Sequence, residues 1–264
     1  MTKFPYFDNF TLKKSGYKIN KLKSKKPLKL MNEILDDEFK DNFDNLNLNS
    51  FRKKLLVCQD RINKEKIHYR IIEENKNFFL KLFKVKSLRD LSVQSVVYLR
   101  GVRPHTDKKS EYIEFHRENF YNDFDYINHQ LNIHMPVKNY TLKSSMKYIP
   151  KSHLISDKKI RFLKLNSSQS GIKRFSVSHK IGLPYNPKKI TKGIDTNKSR
   201  RFNINQGELV AFSSRLIHGG GYNEDTKVRF SIDFGLIKKK IVIKKNKKFH
   251  FSSYHIDKKH YVDI

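Results

Sequence analysis

The sequence has no Trp, a single Cys and a single Ala, and it nowhere approaches the run of about 18 apolar residues that a membrane-spanning helix requires. Each absence excludes something. Cys58, alone in an apolar setting of helical period, rules out a disulfide framework within the chain and any multi-cysteine zinc site, and it predicts a buried thiol. The opening MTKFPYFDNF has no apolar stretch of signal-peptide length, so the expectation is a soluble, cytoplasmic protein without a membrane partner. The scarcity of Trp and Ala beside abundant Lys, Asn and Ile is what a very AT-rich coding sequence produces, and no internal repeat is evident.

What is present is ample core material. With 20 Phe and 13 Tyr in 264 residues, the chain can build one substantial hydrophobic interior, and β-rich folds of this length commonly form a single unit. The formal net charge of +30 invites a nucleic-acid reading, because clustered Lys and Arg displace counterions from phosphate backbones. Coding bias accounts for much of that lysine, so a solvated basic surface is expected and a nucleic-acid partner is not.

Residues 1–28 carry seven Lys between positions 13 and 26 with few apolar anchors, and read as an extended or mobile basic lead-in. A single domain is expected over 29–238, helical over 29–90 and β over 91–238. Apolar positions recur at helical spacing from Leu28 to Phe43, then through Leu55, Leu56, Cys58 and Ile62 after a cap at Asn49 or Ser50, then from Ile71 to Phe83. Beyond Leu88 the period changes. Strands are expected within 92–102 and at EYIEFH, QLNIHMPV, SMKYI, RFNI, ELVAFS and VRFSIDFGLI, which without intervening helices favour an antiparallel sandwich or barrel. Residues 239–264 suit a final edge strand and a basic tail.

Histidine next to acid is the chemical signal. Eleven His among 26 acidic residues give about one His-x-acid pair by chance. This chain has three: His105 with Asp107, His116 with Glu118, and His255 with Asp257. The first lies in a polar loop by composition and the last in the tail, whereas His116 follows the alternating Tyr112, Ile113, Glu114, Phe115 and precedes Phe120 and Tyr121. On an extended segment, residues two apart point the same way, so one strand can offer two ligands to a metal. A third ligand is expected from His218, which follows the apolar LVAFS and precedes Gly219, Gly220 and Gly221. Two imidazoles and one carboxylate on one face leave open positions, the arrangement of non-haem Fe(II) oxygenases.

Arg229 and Ser231 share one side of the strand Arg229-Phe230-Ser231-Ile232-Asp233-Phe234. A guanidinium beside a hydroxyl is a good receiver for a carboxylate, and an internal Asp or Glu is the structural alternative. Tyr148, Asn132 and Ser144 are further candidates to line a cavity, while His105, His134 and His153 are expected to be satisfied polar or supporting residues.

With FHRENFY, NIHMPV followed by SSMKYIPKSH, INQGELVAFSSRLIHGGG and VRFSIDFGLI in that order over roughly 95–238, the chain resembles the phytanoyl-CoA-dioxygenase-like branch of the Fe(II)/2-oxoglutarate oxygenases. Within that branch it is similar to oxygenases of bacterial carbohydrate gene clusters, including those related to streptomycin biosynthesis. The resemblance implies a double-stranded β-helix, or jelly roll, with Fe(II) on His116, Glu118 and His218 and the far carboxylate of 2-oxoglutarate on Arg229 and Ser231. It implies O2-dependent oxidation of a small-molecule substrate, sugar-derived by likeness to the carbohydrate-cluster oxygenases, with release of succinate and CO2. Three positions depart from the family pattern: Glu118 where Asp is more frequent, Lys151 in place of Gly in a Pro-Gly-Ser-His turn, and His134 in place of an aromatic. The rival expectations are a jelly roll without redox chemistry that binds nucleic acid or acidic polysaccharide, and a cupin-like isomerase or sugar-binding protein. The iron ligands argue against the first, and the second has no use for Arg229 as a cosubstrate clamp.

Overall fold

The computed structural model describes residues 10–40, 43, 46–104, 113–120, 125–165, 167–244 and 261–264. Chain order is α1 (Phe10–Ser15), β1 (Tyr17–Lys21), α2 (Lys26–Phe39), α3 (Leu48–Lys64), α4 (Ile67–Glu74) and α5 (Lys76–Phe83), then β2 (Leu91–Gln94), β3 (Tyr98–Val102), β4 (Leu131–Lys138) and β5 (Lys147–Tyr148). There follow β6 (Arg161–Lys164), α6 (Ser167–Ser170), α7 (Val177–Lys180), β7 (Lys188–Lys192), β8 (Arg200–Arg201), β9 (Glu208–Ser213), β10 (His218–Gly219), β11 (Arg229–Lys238), α8 (Lys239–Lys244) and β12 (Tyr261–Asp263).

Among the described residues, the main antiparallel sheet runs β1-β9-β4-β11-β2-β12, with β3 also paired to β11, and a smaller sheet runs β10-β5-β8. The two outer strand sets create two environments. On one face of the main sheet, Leu131, Ile133, Met135 and Val137 of β4 and Phe230, Ile232, Phe234 and Leu236 of β11 pack against the apolar stripes of α2 to α5. Because side chains alternate along a strand, the intervening Gln130, Asn132 and His134, and Arg229, Ser231 and Asp233, turn to the opposite side, toward the smaller sheet. There Val210 and Phe212 of β9 meet Tyr148 of β5 and Phe202 beside β8. Helices therefore close one side of the sheet, and polar residues line the other.

Sequence expectations required several adjustments. The lysine-rich stretch expected as a lead-in enters the fold: β1 pairs with β9 from Tyr17↔Phe212 to Lys21↔Glu208, and Leu12 and Leu22 are buried. Lysine side chains can stay in solvent while alternate backbone positions complete a sheet edge. The N-cap of α3 is Asn47, whose side chain accepts from the Ser50 amide at 3.0 Å, rather than Asn49 or Ser50. The helix expected from Ile71 to Phe83 breaks at Asn75, which donates to the Ile71 carbonyl and accepts from the Lys23 amide. Residues Lys239–Lys244, expected as an edge strand, form α8, with Ile241 packed against Ile127, Ile237 and Tyr261. Cys58 is buried as expected, and burial pushes its thiol up to about 12, which makes it chemically inert at neutral pH. No helix among the described residues is long and apolar enough to cross a membrane.

The turn Pro150-Lys151-Ser152-His153 shows what the Lys costs. Lys151 sits at φ 59°, a left-handed conformation in which its Cβ is crowded. The turn survives because Ser152 Oγ accepts from the Ile217 amide at 2.8 Å, and His153 Nε2 pairs with the Lys13 carbonyl at 3.1 Å. Lys151→Gly is expected to stabilise the protein by about 1 kcal/mol through relief of that strain, read as a higher urea midpoint at unchanged slope. An unchanged or lower midpoint would show that the extra freedom of Gly in the unfolded chain offsets the relief.

Candidate metal centre

Backbone pairing brings His116 and His218 together. The His116 amide donates to the His218 carbonyl at 2.9 Å and the His218 amide to the His116 carbonyl at 3.1 Å, an isolated antiparallel bridge. Their rings lie 4.4 Å apart between centroids, and the Phe212 ring flanks His218 at 4.6 Å. Each imidazole Nδ1 is within hydrogen-bond distance of a backbone carbonyl, His116 with Glu114 at 2.8 Å and His218 with Leu216 at 2.9 Å. A carbonyl can only accept, so both Nδ1 atoms carry the proton and both Nε2 lone pairs are left for the cavity.

The acid arrives by a route other than the one expected. His116 makes only a bridge and Glu118 opens a one-turn 3-10 helix, Glu118–Phe120, so no strand delivers the pair. The Glu118 amide donates to the Ser214 carbonyl at 3.1 Å, tying this turn to the end of β9. Between the two residues, Arg117 is wholly buried and points away, donating to Asp157 and to the carbonyls of Ser152 and Ile155. The backbone thus twists so that residues 116 and 118 still face one cavity. Glu118 Oε1 lies 3.4 Å from His218 Nε2 and 3.8 Å from His116 Nε2, and it accepts from Asn132 Nδ2 at 2.8 Å.

Potential ligand atoms of His116, Glu118 and His218 all fall within 4.8 Å of one another. The electrostatics suit a cation. Burial, with His218 next in effect, lowers the His116 ring to about 4, so it is neutral at physiological pH. Burial pushes the Glu118 carboxyl up, but the two adjacent imidazoles, His218 foremost, and the Asn132 amide outweigh it and hold the acid at about 2. A neutral imidazole and an ionised carboxylate are the forms that ligate a metal.

These residues line a cavity of about 180 Å³ that also reaches Arg229. Arg229 is 2% exposed and its Nη1 donates to Ser231 Oγ at 2.7 Å, while its Nε is buried without a hydrogen-bond acceptor among the described residues. Burial lowers its affinity for its proton, and the Tyr140 ring sits 5.6 Å from the guanidinium carbon. The natural internal partner, Asp233, is otherwise engaged: it accepts from Arg100 Nε at 3.0 Å and pairs with His134 Nδ1 at 2.6 Å. Burial opposes ionisation of Asp233, but His134 and Arg100 hold it well below the usual carboxylate range. His134 Nε2 in turn meets the Tyr140 hydroxyl at 2.8 Å, so His134 is a satisfied linker between the two.

Of the other sequence candidates, Asn132 lines the cavity, Ser144 closes its own turn by accepting from the Thr141 amide, and Tyr148 packs outside the cavity on Phe202 and Tyr17. His105 and His255, with their acids, and Tyr121 lie outside the described residues. Gln130, Arg100, Asp233 and Tyr140 were not anticipated. The polar positions that alternate with apolar ones in 130–134 and 229–233 were the available signal, since such alternation marks a polar face directed into a site when the strand is central.

No protein-family model matches the sequence, and no curated protein matches it. Solved structures do. EvdO2 from Micromonospora carbonacea var. aurantiaca, in complex with 2-oxoglutarate, aligns with a TM-score of 0.56 at 11% identity over 89% of this chain and 93% of its own. The non-heme monooxygenase ThoJ aligns at 0.51 with 15% identity, over 86% and 75% of the two chains. The non-heme alpha ketoglutarate dependent carbocyclase SnoK from nogalamycin biosynthesis aligns at 0.50 with 10% identity, over 93% and 86%. The chain shares the fold of these proteins, a double-stranded β-helix as the resemblance implied.

Proposed function

We propose that the protein is a non-haem Fe(II)- and 2-oxoglutarate-dependent oxygenase acting on a small molecule. The observation that carries this reading is one cavity holding both a His116, Glu118 and His218 cluster and a buried guanidinium with an unsatisfied Nε. An unmet buried donor costs about 1–3 kcal/mol, more when charged, so a carboxylate ligand at Arg229 and Ser231 relieves a standing deficit. The donor set is one that ferrous iron accepts while keeping open positions, and a neighbour of the same fold is described in complex with 2-oxoglutarate.

In this reading the two Nε2 atoms and the Glu118 carboxylate hold the metal, and Arg229 with Ser231 orients the cosubstrate. Bound together, iron and 2-oxoglutarate would supply O2 activation and oxidation of a substrate C–H bond, with succinate and CO2 released. Leu99, Ile113 and Ile181 give the same cavity an apolar wall. Glu118 fills the carboxylate position, which leaves no vacated ligand place for a halide, so hydroxylation is favoured over halogenation. A sugar-derived substrate is supported by the sequence resemblance. Since a related fold serves a carbocyclase, products of cyclisation belong in the same assay.

The test is anaerobic reconstitution of the full chain with Fe(II) and 2-oxoglutarate. A weak visible charge-transfer band is expected, and succinate should form once O2 and a substrate are admitted. A folded, iron-loaded sample that shows no band on addition of 2-oxoglutarate would falsify the reading.

A further inference from the structure

Four side chains form a single hydrogen-bonded line from the last strand of the chain to the acidic member of the cluster. The Tyr261 hydroxyl in β12 donates to Gln130 Oε1, Gln130 Nε2 donates to Asn132 Oδ1, and Asn132 Nδ2 donates to Glu118 Oε1 at 2.8 Å. Resting on the metal reading above, we propose that Tyr261 is a positioning residue for the metal centre, acting through Gln130 and Asn132 on the Glu118 carboxylate.

The polarity of the line is what makes it directional. A carboxylate can only accept, so Asn132 must present its NH2 to Glu118 and its carbonyl to Gln130. Gln130 must then present its own NH2 to Asn132 and its carbonyl outward, where only a donor satisfies it. The Tyr261 hydroxyl is that donor. Without it, no other donor among the described residues holds the outer end against a flip of Gln130, and a flipped Gln130 turns its oxygen on the oxygen of Asn132. Hydrogen-bonded chains of this kind strengthen one another in a poorly solvated interior, and Gln130 and Asn132 are 3% and 7% exposed.

The surroundings are shaped to hold this line. Gly235 lies opposite Asn132 in the β4-β11 register, and a Cβ there would stand 2.6 Å from Gln130 Cδ, so the glycine leaves the space that Gln130 occupies. A backbone route runs beside the side chains, with the Glu118 amide on the Ser214 carbonyl and the Ser214 amide on the Gln130 carbonyl. β12 itself is docked on β2 from Tyr261↔Gln94 to Asp263↔Ser92, with Lys239 Nζ 2.7 Å from Asp263. The device also answers the departure at position 118. Glutamate has one more rotatable bond than aspartate, and a fixed amide donor selects the rotamer that faces the two imidazoles.

Mn(II) serves as the probe, titrated into the full-length protein and read by calorimetry and by the loss of the free-ion EPR signal. Tyr261→Phe keeps the ring packed on Ile127 and Ile237 and removes only the hydroxyl; it is expected to weaken Mn(II) binding about 3- to 10-fold, below the roughly 10- to 100-fold typical of groups that bond a ligand directly. Gln130→Met, which cuts the line in its middle, is expected to weaken it at least as much. In an Asn132→Ala background, Tyr261→Phe should add nothing. Wild-type affinity in folded Tyr261→Phe and Gln130→Met proteins overturns the proposal, and so does a Tyr261→Phe loss of undiminished size in the Asn132→Ala background. Failure of the wild type to bind Mn(II) or Fe(II) at all instead sinks the metal reading, and the proposal with it.

Discussion

His218→Ala is expected to abolish the Fe(II)/2-oxoglutarate absorbance band and to lower metal affinity by more than the roughly 100-fold upper range for losing a group that merely orients a ligand. The substitution removes one of three clustered potential ligands and leaves His116 and Glu118 with no third group among the described residues in the cluster. The loss should be one of binding and not of folding. The backbone bridge between residues 116 and 218 uses amides and carbonyls that alanine keeps, and the site sits at the cavity end of a core built from other residues. Calorimetry with Fe(II) or Mn(II) and a thermal melt separate the two cases. Near-native metal affinity in the His218→Ala protein, with its melt unchanged, would remove His218 from the ligand set.

Arg229→Leu is expected to leave metal binding within about twofold of wild type while weakening 2-oxoglutarate by roughly 100-fold or more. The estimate follows from the loss of a buried, charge-assisted carboxylate pair, about 3 kcal/mol at 1.4 kcal/mol per decade. Leucine fills part of the volume and carries no donor, so Ser231 alone would face the carboxylate. Arg229→Lys should recover only part of the affinity, because an ammonium cannot form the two parallel bonds of a guanidinium. The apoprotein carries its own signature. Removing a buried cation with an unsatisfied Nε should leave stability unchanged or raise it, since that charge has no acidic partner within 4 Å among the described residues. Cosubstrate affinity equal to wild type in Arg229→Leu would end the clamp assignment, and a marked loss of apoprotein stability would point to a structural role.

The two variants are expected to divide the site into separable halves: one should remove the band by removing the metal, and the other by removing the chelating ligand from a metal that stays bound. Titrating 2-oxoglutarate to high concentration distinguishes them, because the band should return in Arg229→Leu and not in His218→Ala.

Much of this was legible in the residues themselves. The apolar run in ELVAFS and the alternation in VRFSIDFGLI marked two strands, the apolar periods before Leu88 marked a helical region, and the identity of His116, Glu118, His218, Arg229 and Ser231 named donors suited to a metal and a carboxylate. These are local properties, set by side-chain chemistry and period. What only the tertiary structure decided depends on contacts between distant segments. Glu118 reaches the cavity from a 3-10 turn tied to Ser214, not from a strand, because a backbone bridge to His218 sets the path of the chain there. Asp233, two residues past Ser231 and the obvious partner for Arg229, is taken by Arg100 and His134 from neighbouring strands, and that competition leaves the guanidinium for a ligand. The basic segment at 17–21 becomes an edge strand because β9 offers it a backbone to pair with, and the tail returns at Tyr261 to complete a line of donors ending on Glu118. The sequence by itself determined which chemistry was available; the fold decided which groups were already satisfied and which were left to bind.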